Sequence, residues 1–161
     1  MHSKPAITID TAASLMRVSK RTLWRYLSEG RLSQQPKDEE GRAMVLIEEI
    51  ADQLCVELTP FASQPASPDN DDYLLLALAD QGNSAAQNDL ALLCLEQEQY
   101  ELALQYFNLA AAQNHADAMH HLSALYETGT GVEPCADTAL AWRSKAAAFG
   151  HQIARVQLDT L

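Results

Sequence analysis

Apolar positions in the first third of the chain come in short, differently spaced blocks. Leu23, Tyr26 and Leu27 recur at helical spacing and predict one apolar face of a short helix. Arg21, Trp24, Arg25 and Ser28 recur at i, i+3, i+4 and i+7 and predict a second face, cationic and bearing an indole. Ser19 is placed to cap the N-terminus of that helix, and Gly30 stands where a terminating glycine belongs. Upstream, Ile7 and Ile9 lead into a short helix over Asp10–Met16, with Asp10 as its expected N-cap and Ala12, Ala13, Leu15 and Met16 on its inner side. Arg17-Val18-Ser19 is then the turn of a helix-turn-helix. Downstream, Leu32 opens an extended stretch, and Pro36 and Gly41 flank the polar tip Lys37-Asp-Glu-Glu. Ala43-Met-Val-Leu-Ile47 reads as the returning strand of a β-hairpin wing. Glu48 and Glu49 open a third helix, a placement that suits the positive end of its dipole, with Ile50, Ala51 and Leu54 on its apolar face.

The pattern then changes. Thr59–Asn70 carries three prolines and two serines and reads as a linker, reaching about 35–40 Å if extended. Asp71 and Asp72 are expected to cap the next helix. From there the chain repeats itself. Ala79-Asp-Gln-Gly82, Ala111-Ala-Gln-Asn114 and Ala147-Ala-Phe-Gly150 end equivalent helices, 32 and 36 residues apart. Asn83, His115 and His151 follow each one, and Leu90, Leu122 and Leu158 recur at the same offsets. The four extra residues fall in the turn Gly129-Thr-Gly-Val-Glu-Pro134. Helices are predicted near 74–81, 85–96, 100–112, 116–127, 137–149 and 152–160. A period in the thirties built of paired helices predicts an α-solenoid.

Two resemblances follow from these residues. Val18-Ser-Lys-Arg-Thr-Leu-Trp-Arg-Tyr-Leu-Ser-Glu-Gly-Arg-Leu32, with Thr8–Leu15 before it and Gly41–Leu54 after it, resembles the winged helix-turn-helix of the excisionase/MerR superfamily over about 50 residues. That resemblance implies a bacterial DNA-binding domain whose helix enters the major groove through Ser19, Lys20, Arg21, Thr22, Trp24 and Arg25. Arg31, Lys37 and Arg42 would then lie near the backbone. Tyr126-x-x-Gly-x-Gly-Val132, Ala139-Leu-Ala-Trp142, Lys145-Ala-Ala147 and Gly150 resemble the SEL-like repeat, a relative of the tetratricopeptide repeat. This second resemblance implies a scaffold that binds protein. The expected architecture is mainly α. A winged helix-turn-helix spans 1–58, a linker 59–70, and a short α-solenoid of helical hairpins 71–161.

Charge sharpens this picture. The 161 residues carry a net charge of −11, yet Arg17–Arg31 holds five bases against Glu29 alone. Residues 1–57 hold eight Lys/Arg and nine Asp/Glu, whereas 58–161 hold three and thirteen. A basic helix in an acidic chain points to a polyanion, and the acidic repeats point to a different task. One feature opposes the resemblance: Asp38, Glu39 and Glu40 at the wing tip would repel phosphate. No apolar run approaches a membrane span, the first residues lack a signal-peptide core, and three scattered cysteines suit a reducing cytoplasm.

Other constellations carry less. His115, His120 and His121 suggest a metal, but neighbouring helical residues diverge by about 100°, which separates His120 from His121. His115 and His151 share a repeat position and suit a turn role. Gly129-Thr-Gly131 is too short for a phosphate loop. Trp142 and Phe107 fall at apolar repeat positions and are expected in the core. No residue set points to an enzyme, cofactor or metal. The expectation is a cytoplasmic transcriptional regulator or accessory factor, binding double-stranded DNA through the 19–25 helix and a protein partner through the repeats, with a homodimer as one possible state. The alternative is a non-catalytic adaptor whose helix-turn-helix binds protein rather than DNA.

Overall fold

The computed structural model describes residues 4–53 and 71–160. The expected linker, Leu54 and Leu161 lie outside them. The described residues are mainly helical with one small three-stranded antiparallel sheet. They fall into two compact units, Met1–Gln81 and Gly82–Leu161.

The first unit begins with β1 (Ala6–Thr8), α1 (Ile9–Leu15) and α2 (Lys20–Ser28), then β2 (Gln34–Gln35), β3 (Met44–Leu46), α3 (Ile47–Gln53) and α4 (Asp71–Asp80). The sheet order is β1-β3-β2, so β3 is central; Ile7 pairs with Val45, and Gln34 pairs with Val45 from the other side. The Ile7–Ile9 stretch, expected only to lead into a helix, therefore supplies a strand. Pairing explains the choice: Ile7 and Val45 are strand partners and both fully buried, as is Leu23 of α2. The returning strand is shorter than expected, because Ile47 already opens α3 with Glu48 and Glu49 in its first turn.

The cap of α1 also differs from expectation. Thr8, not Asp10, is the N-cap: its backbone is extended at the end of β1, and its Oγ1 accepts from Thr11 N at 3.3 Å. Asp10 sits in the first turn. The cap of α2 is Ser19, whose Oγ accepts from Thr22 N at 3.2 Å. The turn between the helices puts Arg17 at φ 49°, a left-handed conformation that disfavours a side chain. After Glu29, Gly30 takes φ 70° and lets the chain leave α2. Asp71 and Asp72 lie within α4 rather than before it.

The second unit holds α5 (Ser84–Glu96), α6 (Tyr100–Ala112), α7 (Ala116–Thr128), α8 (Ala136–Ala148) and α9 (Gln152–Asp159), each within a residue or so of its predicted bounds. Consecutive helices pack on one another, most extensively α5 on α6 and α7 on α8. Alanines mark the closest approaches: Ala103 and Ala139 are equivalent and buried, as are Ala110 and Ala146, and Ala86, Ala118 and Ala154. Small side chains there let helix axes draw together while Leu90, Phe107 and Leu122 fill the space between. Asn83, His115 and His151 each cap the helix that follows. Asn83 Oδ1 accepts from Ala86 N at 3.0 Å, His115 Nδ1 from Ala118 N at 3.4 Å and His151 Nδ1 from Ala154 N at 3.1 Å. A histidine that accepts through Nδ1 carries its proton on Nε2.

Trp142 departs from expectation. It is half-buried, with Lys145 Nζ 4.4 Å from its ring centre, whereas Phe107 is fully buried. The residue aligned with Phe107 is Arg143, which is mostly buried and ion-pairs with Glu127.

Candidate nucleic-acid interface

The outer face of α2 is set by what its inner face buries. Leu23 is sequestered and Tyr26 and Leu27 are half-buried, which turns Arg21, Trp24, Arg25 and Ser28 to solvent. Trp24 is 48% exposed and places a large aromatic surface beside the arginines of the outer face. Ser19 and Thr22 are spent on the start of the helix, their hydroxyls 3.0 Å apart. They are placed to offer that end of α2 to an anion only by giving up this contact.

The cations divide into engaged and unengaged groups. Lys20 Nζ lies 2.7 Å from Asp10 Oδ1, and Arg25 Nε 3.8 Å from Glu29 Oε1. Arg31 stacks its guanidinium over Tyr26, 4.1 Å from the ring centre. Arg21 and Lys37 have no ion pair among the described residues and are exposed. Such surface pairs are weak, about 0–1 kcal/mol each, so a phosphate can displace them.

The wing tip is held from within. Asp38 accepts from Arg42 N at 2.7 Å, Glu40 N at 3.1 Å and Arg42 Nε at 2.5 Å. Partial burial opposes ionisation of its carboxyl. The side-chain and backbone hydrogen bonds from Arg42, the Arg42 charge and the Glu40 backbone outweigh it and hold Asp38 below the usual carboxylate range. The Asp38 hydrogen bond likewise holds the Arg42 guanidinium charged, with Glu40 Oε2 a further 3.3 Å contact. Of the three tip carboxylates, Asp38 is thus a structural clasp, and Arg42 is largely neutralised by it. Glu39 and Glu40 remain exposed.

Trp24, Asp10 and Arg42 come from three segments and line one shallow cleft of about 200 Å³ with Thr8, Ile9 and Ala43. The structure therefore brings Lys20 (through Asp10), Trp24 and Arg42 together. Arg31 belongs to the far end of α2, and Lys37 to the wing tip.

Sequence reasoning did not single out Asp80. The last residue of α4 accepts from Thr8 N at 2.8 Å and Thr8 Oγ1 at 2.8 Å, and also from Thr11 Oγ1. A carboxylate at the first turn of α1 satisfies donors that the helix itself leaves free. The signal was present: Asp80 stands where the other repeats have Ala112 and Ala148.

The histidines are distributed, not convergent. The His120 ring stacks on His151 with centres 4.1 Å apart, while His121 lies 5.1 Å from Phe107. Burial, then His151, His121 and Arg143, push the His120 imidazole below its ordinary value against the pull of Asp117. Burial does the same to His121, aided by His151 and His115 and opposed by Asp117. Among the described residues no group of three or more His, Cys, Asp or Glu is arranged to hold a metal ion. Burial pushes the Cys94 thiol up to about 12, which leaves it inert. No helix among the described residues is long and apolar enough to cross a membrane.

Comparison with protein families finds no match for this chain. Among curated proteins it is similar to the DAP3-binding cell death enhancer 1 of Rattus norvegicus, 34% identical over 90 residues. The match covers 55% of this chain and 18% of that protein's length.

Proposed function

We propose that the first unit is a winged helix-turn-helix that binds double-stranded DNA, with α2 in the major groove, and that the helical hairpins of the second unit form an acidic solenoid that binds a protein partner. On this reading the chain is a transcriptional regulator or accessory factor. The observation that carries it is the solvent-facing row Arg21, Trp24 and Arg25 on a helix whose Leu23 is wholly buried. Arg21 and Arg25 would contact phosphate or guanine edges, and Trp24 a thymine methyl. Displacing Asp10 from Lys20 and Glu29 from Arg25 leaves three cations, Lys20, Arg21 and Arg25, for the contact. With about three phosphates neutralised, log K should fall with log salt at a slope of about −2.7.

The test is genome-wide DNA capture with the intact chain beside an Arg21→Ala/Arg25→Ala variant. Discrete peaks lost in the variant support the reading. No enrichment, with the wild-type phenotype retained by the variant, overturns it.

A second reading is an adaptor in which both units bind protein. It is favoured by the in-chain pairing of Lys20 with Asp10 and of Arg42 with Asp38, which lowers the cationic field at the face, and by the name of the rat protein, which describes that protein as DAP3-binding. The salt slope separates the two: a protein interface of ordinary polarity shows a far shallower one.

A further inference from the structure

The joint between the second hairpin, α7 and α8, and the helix after it, α9, is built differently from the joint before it. His120, Ser123 and Glu127 lie at i, i+3 and i+7 on one side of α7, and Arg143 of α8 reaches across to pair with Glu127. One repeat earlier the aligned residues are Asn88, Ala91, Leu95 and Phe107, none of which carries a charge. The seam is therefore polar where the previous one is largely apolar. It is also incompletely satisfied. His120 Nδ1, Ser123 Oγ, Arg143 Nε and, on the same side of α9 as buried Ala154, Gln157 Oε1 are buried with no hydrogen-bond partner among the described residues. A buried polar network that is only partly satisfied is a weak place in a fold. α9 packs on α8 there, and the residue that caps it, His151, stacks on His120 with ring centres 4.1 Å apart.

We propose that this seam is a proton-operated joint, which holds α9 against the second hairpin at neutral pH and releases it in acid. Two features of the geometry make it so. The first is the cap. His151 Nδ1 accepts from Ala154 N at 3.1 Å, and an imidazole protonated on both nitrogens has no acceptor left. The start of α9 then loses its cap, whereas Asn83 holds the equivalent place before α5 with a carboxamide oxygen that no such proton blocks. The second is the stack. A proton on His120 sets a cation against the His151 ring and near Arg143. Burial, and then His151, His121 and Arg143, oppose that proton, and Asp117 favours it. Asp117 also lies 3.6 Å from His151 Nε2, but its side chain is 63% exposed and solvent screens its pull. Glu127 is engaged by Arg143, Arg155 and Asp159 of α9 are exposed, and His121 packs on Phe107 of α6. His115 caps α7 in the same manner as His151 caps α9, but in the place of His120 one repeat earlier stands Asn88, which takes no proton. An imidazole that refuses its proton in the closed joint and accepts it at about pH 6.5 in the open one favours opening by up to about thirtyfold at pH 5.

The test is amide hydrogen exchange of the 161-residue chain, followed by nuclear magnetic resonance from about pH 7.5 to about pH 5 and corrected for the intrinsic rate at each pH. The amides of α9, Ala154 among them, should exchange through a smaller opening than those of α5 and α6, and that opening should grow about tenfold between these limits. In His120→Asn/His151→Asn, which places at the joint the side chains that the first hairpin carries at Asn88 and Asn83, the opening should stay flat. Should that variant not fold, the imidazole nitrogen shifts of the unaltered chain decide: His151 Nδ1 should gain its proton over the pH range in which α9 opens. Amides of α9 as protected as those of α5 and α6 at every pH, an opening that does not grow in acid, growth that survives in the double variant, or a proton gained at His151 Nδ1 while α9 stays closed overturns the proposal. No DNA or protein partner enters the experiment, so its failure is separate from failure of the DNA-binding reading.

Discussion

Replacing Asp80 by alanine removes the carboxylate that accepts three hydrogen bonds at the start of α1. The magnitude can be worked from the partners. Thr8 is 4% exposed, so its N–H loses its acceptor where water cannot readily take over. An unsatisfied buried donor costs about 1–3 kcal/mol. The hydroxyls of Thr8 and Thr11 suffer less, because Thr8 Oγ1 and Thr11 Oγ1 lie 3.2 Å apart and can pair with each other. Loss of a negative charge at the first turn of α1 adds about 0.3–1 kcal/mol. The same charge sits unfavourably at the C-terminus of its own helix, α4, and its removal returns a similar amount. The net expectation for Asp80→Ala is therefore about 1–3 kcal/mol of destabilisation, confined to the first unit. Asp80→Asn keeps one acceptor and should lose about half of that. The assay is urea unfolding followed by Trp24 fluorescence in a Trp142→Phe background, since Trp24 and Trp142 are the two tryptophans and lie in different units. Amide exchange at Thr8 and Thr11 should quicken while α7 and α8 stay protected. A loss under about 0.5 kcal/mol, the usual size of a neutral surface change, would refute the claim that Asp80 holds α4 to the first turn of α1.

Gly131→Ala should destabilise the second unit by at least about 2 kcal/mol, read by thermal unfolding on Trp142. Gly131 sits at φ 70°, and a Cβ there would come 2.3 Å from Tyr100 Cβ; Gly150→Ala, with open space around it, should lose less. The wing should loosen in acid. Asp38 is held below its ordinary value, so its contribution is full above about pH 4 and is lost as pH falls through its lowered native value. Exchange of the Arg42 amide should quicken there, and Asp38→Asn should remove that pH dependence. The second unit should weaken over a higher window. His120 and His121 are held below their ordinary value, so the unfolded chain binds protons that the folded one refuses. Stability is full above about pH 6.5 and falls as pH drops from there through the lowered native values. His120→Asn, the residue α5 carries at the aligned Asn88, should flatten that slope in a melting-temperature series from pH 7 to about pH 5.

The helices of the second unit were legible because each carries the same spacing of Ala and Leu as its neighbours, and a repeated error would have to be made every time. The α2 face was legible for another reason: Leu23 and Trp24 are adjacent and can only point apart. What could not be read was long-range. Ile7 becomes a strand residue because Val45 pairs with it 38 positions later in the chain, and no local pattern of three residues announces that. Thr8 displaces Asp10 as the cap because that strand ends at Thr8 with an extended backbone. Trp142 is half-buried under Lys145, a contact that no apolar spacing announces. The pairing of Lys20 with Asp10 and of Arg42 with Asp38 is likewise invisible to a count of charges, although it decides how much cationic field the α2 face keeps.

The repeats offer a control that single domains lack, because each position has been tried in more than one context. Where aligned residues agree, as with Ala86, Ala118 and Ala154, the shared role is packing, and burial shows it. Where they disagree, the odd residue marks a local duty. Asp80, in place of Ala112 and Ala148, turns from the hairpin pattern toward Thr8 and Thr11. Phe149, Ile153 and Val156, in place of Gln113, Asp117 and His120, are no better at filling the unit's own core, since they lie outside it. An apolar residue that contributes nothing to its own core still carries the unfavourable exposure to water. On that physical ground Asp80 marks an attachment within the chain.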